Sequence, residues 1–293
     1  MNFFQLEVLL KVVESGNFTK AGQEIGLTQS GVSHNITTLE SELGVTLLKR
    51  GRGGTSLTTA GEYIIPHIRG IVANMAHIDQ KVASIKGLEL GKISIGSFPS
   101  FTASFIPALF SICKERFPNI EIVLYEGGYE DIVKWVEEGT VDLGFTALPV
   151  KGVECIQLLE DPLSAVIYDG HPFIEKDAVT MANFVEESFI MLRSGCETLI
   201  EDEFRKAKLP LHVSYNSKDN ETVLSMVKGK LGVTIMPNLA IPENLETMHI
   251  LPLFPQLVRN IGLIIKSSEN LTPIAQEFLK IVTDYFKEQG SKV

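Results

Sequence analysis

Seven apolar residues, Ile64, Ile68, Ile71, Met75, Ile78, Val82 and Ile85, recur at intervals of 4, 3, 4, 3, 4 and 3 in this 293-residue chain. That alternation traces three heptads of a narrow stripe on one helix running from about Thr58 to Lys86, and so narrow a stripe suits one partner helix. Asn74, His77, Asp79, Gln80, Lys81 and Ser84 fill its other faces. An amphipathic helix lying on its own domain would share the pattern. A coiled coil between two copies is preferred, because readout by one short helix is weak and a dimer doubles it. Pro66 conflicts locally: inside a helix it removes a hydrogen bond at a cost of ~3 kcal/mol, so a kink is expected near Glu62–Pro66. The rod, residues 58–88, separates a small segment, 1–57, from a larger one, 92–293.

The small segment reads as helices. Phe3, Leu6, Leu9 or Leu10, and Val13 give one apolar stripe. A short helix, Thr19 to Ile25, follows and stops at Gly26, a position for left-handed backbone. Thr28 can cap a third helix, Gln29 to Glu42, ended by Gly44. Val32, Ile36, Leu39 and Leu43 share its inner face. Gln29, Ser30, Ser33, His34 and Thr37 share the outer one. A helix, a glycine turn and a second helix make a helix-turn-helix, although three-helix bundles with a polar face are about as common. The outer side chains suit base edges and phosphates in a major groove.

Charge shifts the balance. The chain carries a net −10, yet residues 1–61 hold five Lys or Arg against five Asp or Glu, so all excess acidity lies elsewhere. Val45–Leu48 reads as a strand, Lys49–Gly54 as a glycine-rich tip, and Thr55–Leu57 as a return strand. Three of the five basic residues, Lys49, Arg50 and Arg52, fall in that wing, where phosphate contact would be made.

From Lys92 onward strands and helices alternate, which predicts an α/β class with a mostly parallel sheet. Strands are expected at KISIGSF, EIVLYEG, VDLGFTA, PLSAVIY, ESFIML, LHVSY, LGVTIM and IGLIIK. Helices are expected at Ser104–Phe117, Tyr129–Glu138, Glu197–Lys208, Glu221–Lys228 and Pro273–Glu288. The length suffices for two such halves.

The stretches FTKAGQEIGLTQSGVSHNITTLESELGVTLLKR and LTTAG resemble the winged helix-turn-helix of LysR-type transcriptional regulators. IGSFPSFTASFIPALFSICKERFPNIEI, VDLGF, SAVIYDGHPF and KGKLGVTIMP resemble the effector-binding domain of the same family, a two-lobed unit with the fold of periplasmic binding proteins. The resemblance covers nearly the whole chain. It implies that Gln29, Ser30, Ser33 and His34 occupy base- and backbone-contacting positions and Arg50 a wing position. There are departures. Gly22 and Gly31 stand where alanine is usual, each costing ~1 kcal/mol in a helix interior. Leu48 replaces Phe, and the wing arginine, Arg52, precedes Gly53. The implied partners are double-stranded DNA, a second copy (homodimer or homotetramer), a small-molecule effector and potentially RNA polymerase. In such a fold the chain crosses between lobes twice, here near Glu160–Pro162 and Lys266–Ser268. The first lobe would hold 92–161 and 267–293, the second 162–266.

The resemblance places an effector between the lobes, at strand ends and helix N-termini, which suit anions. Ser100 and Thr102 lie between a strand and a helix, so they either contact it or only cap the helix. Thr146 follows VDLGF. Arg193, Ser194, Gly195 and Cys196 follow ESFIML, and Arg193 could pair with a carboxylate. A small anionic metabolite is the expected effector, with no cofactor. Cys196 reads first as a small buried or cleft-lining thiol; at a helix N-terminus a thiol pKa can fall, and the resemblance then admits a redox-sensing alternative known in one branch of the family. No second cysteine is close in sequence to resolve it. His171 reads as a turn residue, and no metal-ligand spacing occurs. Without GxSxG, Walker or dinucleotide loops an enzyme is not expected. A solute-binding protein is disfavoured too, by the helix-turn-helix and because the N-terminal stretch lacks a basic n-region and carries Glu7 and Glu14, which argues against a signal peptide. No apolar run reaches the ~18 residues of a membrane span. A cytoplasmic location is expected.

Overall fold

The computed structural model describes residues 1–51, 54–85, 91–245 and 247–290. Helix α1 (Phe3–Ser15) starts at Asn2, whose Oδ1 accepts the Gln5 amide while Gln5 Oε1 accepts the Asn2 amide. This reciprocal cap satisfies two otherwise orphaned donors. Asn17 and Thr28 cap α2 (Phe18–Ile25) and α3 (Gln29–Leu43). Gly26 and Gly44 end them at φ 71° and 69°, backbone that a side chain would strain.

The wing pairs β1 (Leu48–Gly51) with β2 (Gly54–Leu57), Leu48 opposite Leu57. It begins three residues later than Val45. Glu40 is the reason: its Oε1 accepts the amides of Leu47 and Leu48 at 2.6 and 3.0 Å, and its carbonyl accepts that of Val45. Residues 45–47 are therefore committed to α3. Lys49 and Arg50 lie in the strand, not at its tip. Arg52 falls outside the described residues.

Helix α4 (Thr59–Ile85) continues through Pro66, so the proline does not interrupt it. The seven-residue stripe divides along its length. Ile68, with Ile65 beside the stripe, is buried in a core shared with Leu6, Leu9, Val32 and Leu39. Ile71, Met75, Ile78 and Val82 remain 46%, 43%, 56% and 42% exposed. Only the second half of the stripe is left for a partner. Arg69 of α4 also pairs with Glu138, tying the rod to the domain that follows.

That domain has two lobes. The first contains β3 (Lys92–Ser97), α5 (Pro99–Arg116), β4 (Glu121–Glu126), α6 (Tyr129–Glu137) and β5 (Leu143–Leu148). The chain leaves it along β6 (Glu154–Tyr168). The second lobe contains β7 (Phe189–Leu192), α7 (Glu197–Lys206), β8 (Val213–Ser217), α8 (Asn220–Lys228), β9 (Thr234–Pro237) and β10 (Met248–Pro252). The return follows β11 (Val258–Ile265), and α9 (Pro273–Gly290) closes the first lobe.

The expectation of a mostly parallel sheet needs correction. Parallel pairing holds for β3 with β4 and β5, and for β7 with β8. The two connecting strands, β6 and β11, run antiparallel to each other, and β11 runs antiparallel to β5. The crossings lie within them. Leu159 packs on the first core and Leu163 belongs to the second. On the return Leu257 packs on the second core, whereas Ile261, Leu263 and Ile264 are buried in the first. The second crossing is thus at 257–259 rather than Lys266–Ser268, because β11 as a whole is needed as a first-lobe strand.

Helix α5 also differs. It begins at Pro99, five residues before Ser104. Proline's fixed φ and missing N–H suit the first helical position. Ser100 and Thr102 consequently belong to the helix and not to a loop.

Candidate functional site

The outer face of α3 carries Gln29, Ser30, His34 and Thr37 exposed and Ser33 half-buried. Val32, Ile36 and Leu39 anchor the opposite face in the core. The 4-3 spacing of those three fixes the helix's rotation, so the polar set has to point outward. Thr28 Oγ1 accepts the Gly31 amide and lies 2.9 Å from Ser30 Oγ. The helix thus presents a positive N-terminal end beside short hydrogen-bonding side chains, which suits a phosphate or base edge. The backbone of Arg50 pairs with Thr55 in the adjoining wing.

The second region lies where the lobes meet. A cavity of about 560 Å³ is lined by Phe98, Ser100, Ser194, Leu224, Ile241 and Arg259 among others. Lys218, Asp219, Glu221 and Glu243 also line it. Of the residues expected here, Ser100 and Ser194 reach the wall. Thr102, Thr146, Arg193, Gly195 and Cys196 do not line it. Thr146 is buried within β5 opposite Gly262, and its hydroxyl, like that of Thr102, has no hydrogen-bond partner among the described residues. Arg193 is engaged elsewhere: Nη1 donates to Glu201 at 2.7 Å and Nε to Asn216 Oδ1 at 3.0 Å.

Arg259, Asp161 and Tyr129 were not expected. Arg259 Nε and Nη2 donate to Asp161 Oδ2 at 2.7 and 2.6 Å, with both side chains 2% exposed. Nη2 also donates to Ser100 Oγ at 3.0 Å, and Nη1 to Tyr129 Oη at 2.5 Å and Cys196 Sγ at 3.5 Å. The guanidinium lies 5.0 Å from the centre of the Phe98 ring, a cation–π distance. The sequence does hold a signal for them. LEDPLSAVIY carries Glu160 and Asp161, and LVRNIGLII carries Arg259, within otherwise apolar strands, where a buried ion survives only if paired.

Cys196 sits at the N-cap of α7, but its pKa is not lowered. Burial pushes the thiol up, outweighing Arg259 and the Tyr129 hydrogen bond. Burial likewise pushes up the Tyr129 phenol. For Arg259, burial alone would lower the pKa, but Tyr129, Cys196 and Asp161 hold it above its ordinary value. Cys196 is thus a buried thiol behind the cavity wall, with its pKa raised and not lowered.

Residues 3–62 match the family model described as bacterial regulatory helix-turn-helix protein, lysR family. Residues 86–287 match the LysR substrate binding domain. The chain is 35% identical over 292 residues to the uncharacterized HTH-type transcriptional regulator YvbU of Bacillus subtilis, covering 98% of this chain and 99% of that one. It is 32% identical to the probable HTH-type transcriptional regulator LrrA of Synechococcus elongatus, covering 96% of each. Among solved structures, a full-length OxyR variant from Pseudomonas aeruginosa superposes with a TM-score of 0.75 at 19% identity, over 98% and 95% of the two chains. Full-length CbnR complexed with its target DNA superposes with a TM-score of 0.65 at 19% identity, over 97% and 99%.

Proposed function

Because the chain belongs to the LysR family of bacterial transcriptional regulators, we propose that it reads operator DNA with Gln29, Ser30, Ser33, His34 and Thr37. Arg50 and Arg52 of the wing would meet phosphates. The chain is a DNA-binding regulator with an effector-binding domain, and the proposal includes its assembly with further copies of itself. The observation that carries the contact assignment is the outward polar face of α3, fixed in rotation by Val32, Ile36 and Leu39. Two such faces are brought together by the exposed half of the α4 stripe. The reading includes a cytoplasmic location and no catalytic turnover. Among the described residues no helix is long and apolar enough to cross a membrane.

The test is a footprint on DNA that the protein retains from its own genome. The Ser33→Ala/His34→Ala variant should bind that site more weakly while staying folded and assembled. Losing specific contacts of this kind costs ~1–3 kcal/mol each. An unchanged footprint would reject the recognition-face assignment.

The effector is proposed to be a small acid. The first turn of α5 and Ser100, with Arg259, face the cavity, and a helix N-terminus favours negative charge. Thr102, Thr146, Arg193, Gly195 and Cys196 would act, if at all, from behind the wall. A thermal-shift screen decides: stabilisation by a neutral or cationic compound, and by no acid, refutes the choice.

A further inference from the structure

The floor of the cleft holds a buried ion pair at an unusual place. Arg259 and Asp161 stand opposite each other in register on β11 and β6, the two strands by which the chain passes between lobes. A guanidinium has five N–H groups. Here Nε and Nη2 reach Asp161, Nη2 also reaches Ser100, and Nη1 reaches both Tyr129 and Cys196. Ser100 and Tyr129 stand on first-lobe helices, and Cys196 caps a second-lobe helix. Asp161 Oδ1 adds the amide of Leu239, which follows the second-lobe strand β9 and packs on the first-lobe core.

The surrounding joint has no slack. The Tyr129 ring lies against Gly195, where a Cβ would overlap it, and Gly195 is at φ +104°. Tyr129 Oη is 3.3 Å from Cys196 Sγ. Folding alone does not demand such a pair, since apolar residues of similar volume can replace buried ions without loss of stability. What the pair supplies is a single group touching both lobes, both crossings and the cavity wall.

We propose that Arg259, held by Asp161, is the hinge latch through which occupancy of the cleft is read. This rests on the cleft being the effector site. A hydrogen-bond acceptor on the ligand that reaches Ser100 competes for Arg259 Nη2. The guanidinium then redistributes its donors, and Tyr129 and Cys196 lose their shared partner. The lobes shift about 161 and 259 as a result. Arg259 is a positioning residue: it acts on lobe geometry through Tyr129 and Cys196.

The test uses the full chain in two variants, Asp161→Leu/Arg259→Met, which removes both charges together, and Arg259→Lys. Lysine keeps the charge beside Asp161 but lacks the fork that reaches Tyr129 and Cys196. Hydrogen exchange is followed at residues 129–132 and 196–199, together with the footprint on retained operator DNA. Both segments should exchange about tenfold faster than in the unaltered protein, without loss of cooperative unfolding. The footprint should change in extent with no small molecule added. A folded double variant with unaltered exchange and footprint overturns the latch. If the double variant does not fold, the same unaltered result from Arg259→Lys overturns it. Should the unaltered protein protect no DNA, the regulatory reading fails separately, and the exchange data still judge the latch.

Discussion

Replacing Ile78 by Ala separates assembly from folding. Burying an isoleucine side chain completely is worth about 1.5–3 kcal/mol. Ile78 is 56% exposed within one subunit and lies outside the helix-turn-helix core, so a partner would recover about 0.8–1.7 kcal/mol of it. A symmetric pair contains the residue twice, giving about 1.7–3.4 kcal/mol per dimer. At 1.4 kcal/mol per decade the dimer Kd should rise roughly 15- to 250-fold. The isolated subunit should stay folded, because alanine is the better helix former and no core side chain is removed. Ile65→Ala is the contrast. Ile65 is 2% exposed in the same helix, and its truncation should cost the subunit about 2–5 kcal/mol. Sedimentation equilibrium across a concentration series measures the first effect and denaturant unfolding of the dilute protein the second. If Ile78→Ala leaves Kd within threefold, or destabilises the dilute subunit as Ile65→Ala does, the stripe serves its own chain and not a partner.

Further expectations concern single residues. Gly31→Ala should stabilise the amino-terminal domain by about 1 kcal/mol, since the added methyl meets nothing nearer than Thr28 Oγ1 at 3.4 Å. Gly22→Ala should destabilise it despite the same propensity gain, because its Cβ would stand 2.6 Å from the Leu27 carbonyl oxygen; urea midpoints of opposite sign test the pair. Glu40→Ala orphans the Leu47 and Leu48 amides and should cost about 2–3 kcal/mol; a midpoint equal to the unaltered protein's would remove Glu40 from its role in seating the wing. Cys155 is exposed while Cys113 and Cys196 are buried with thiols pushed above their ordinary value by burial. Alkylation at neutral pH should therefore modify Cys155 first, and rates at the other two should rise only as pH climbs or the protein unfolds. Peptide mapping in which Cys196 reacts as fast as Cys155 would reopen a redox role.

The difference between Gly22 and Gly31 shows which information a sequence carries. Both glycines carry the same intrinsic penalty, and only the distance to Leu27 separates them. The elements α1, α2 and α3 were legible because their caps and apolar spacings involve neighbours within a turn or two: Asn17 with Thr19 and Lys20, Thr28 with Gly31. The late start of β1 was not, although Glu40 is only seven residues from Leu47. A lone glutamate on a helix gives no sign that its carboxylate turns inward. The early start of α5 was readable from Pro99, but Ser100 and Thr102 offered more familiar cap residues for a later start.

At the cleft the gap is wider, and its cause is range. Asp161 and Arg259 are 98 positions apart, and they meet only because β6 and β11 pair antiparallel in one register. A parallel sheet, the simplest inference from alternating helices and strands, would not place them together. A shift by one residue would turn one of them away from the other. A charge inside an apolar strand announces that a partner exists without identifying it. For this chain the partner choice decides what the cleft can do: Arg193, a loop arginine, looks available from sequence but is half-buried and committed to Glu201 and Asn216, whereas the arginine beside the cavity is the one hidden in a strand. A site assembled from loop residues would have been local and readable. One assembled at the crossings between lobes depends on register, and register is where the two lobes gain a common point to move about.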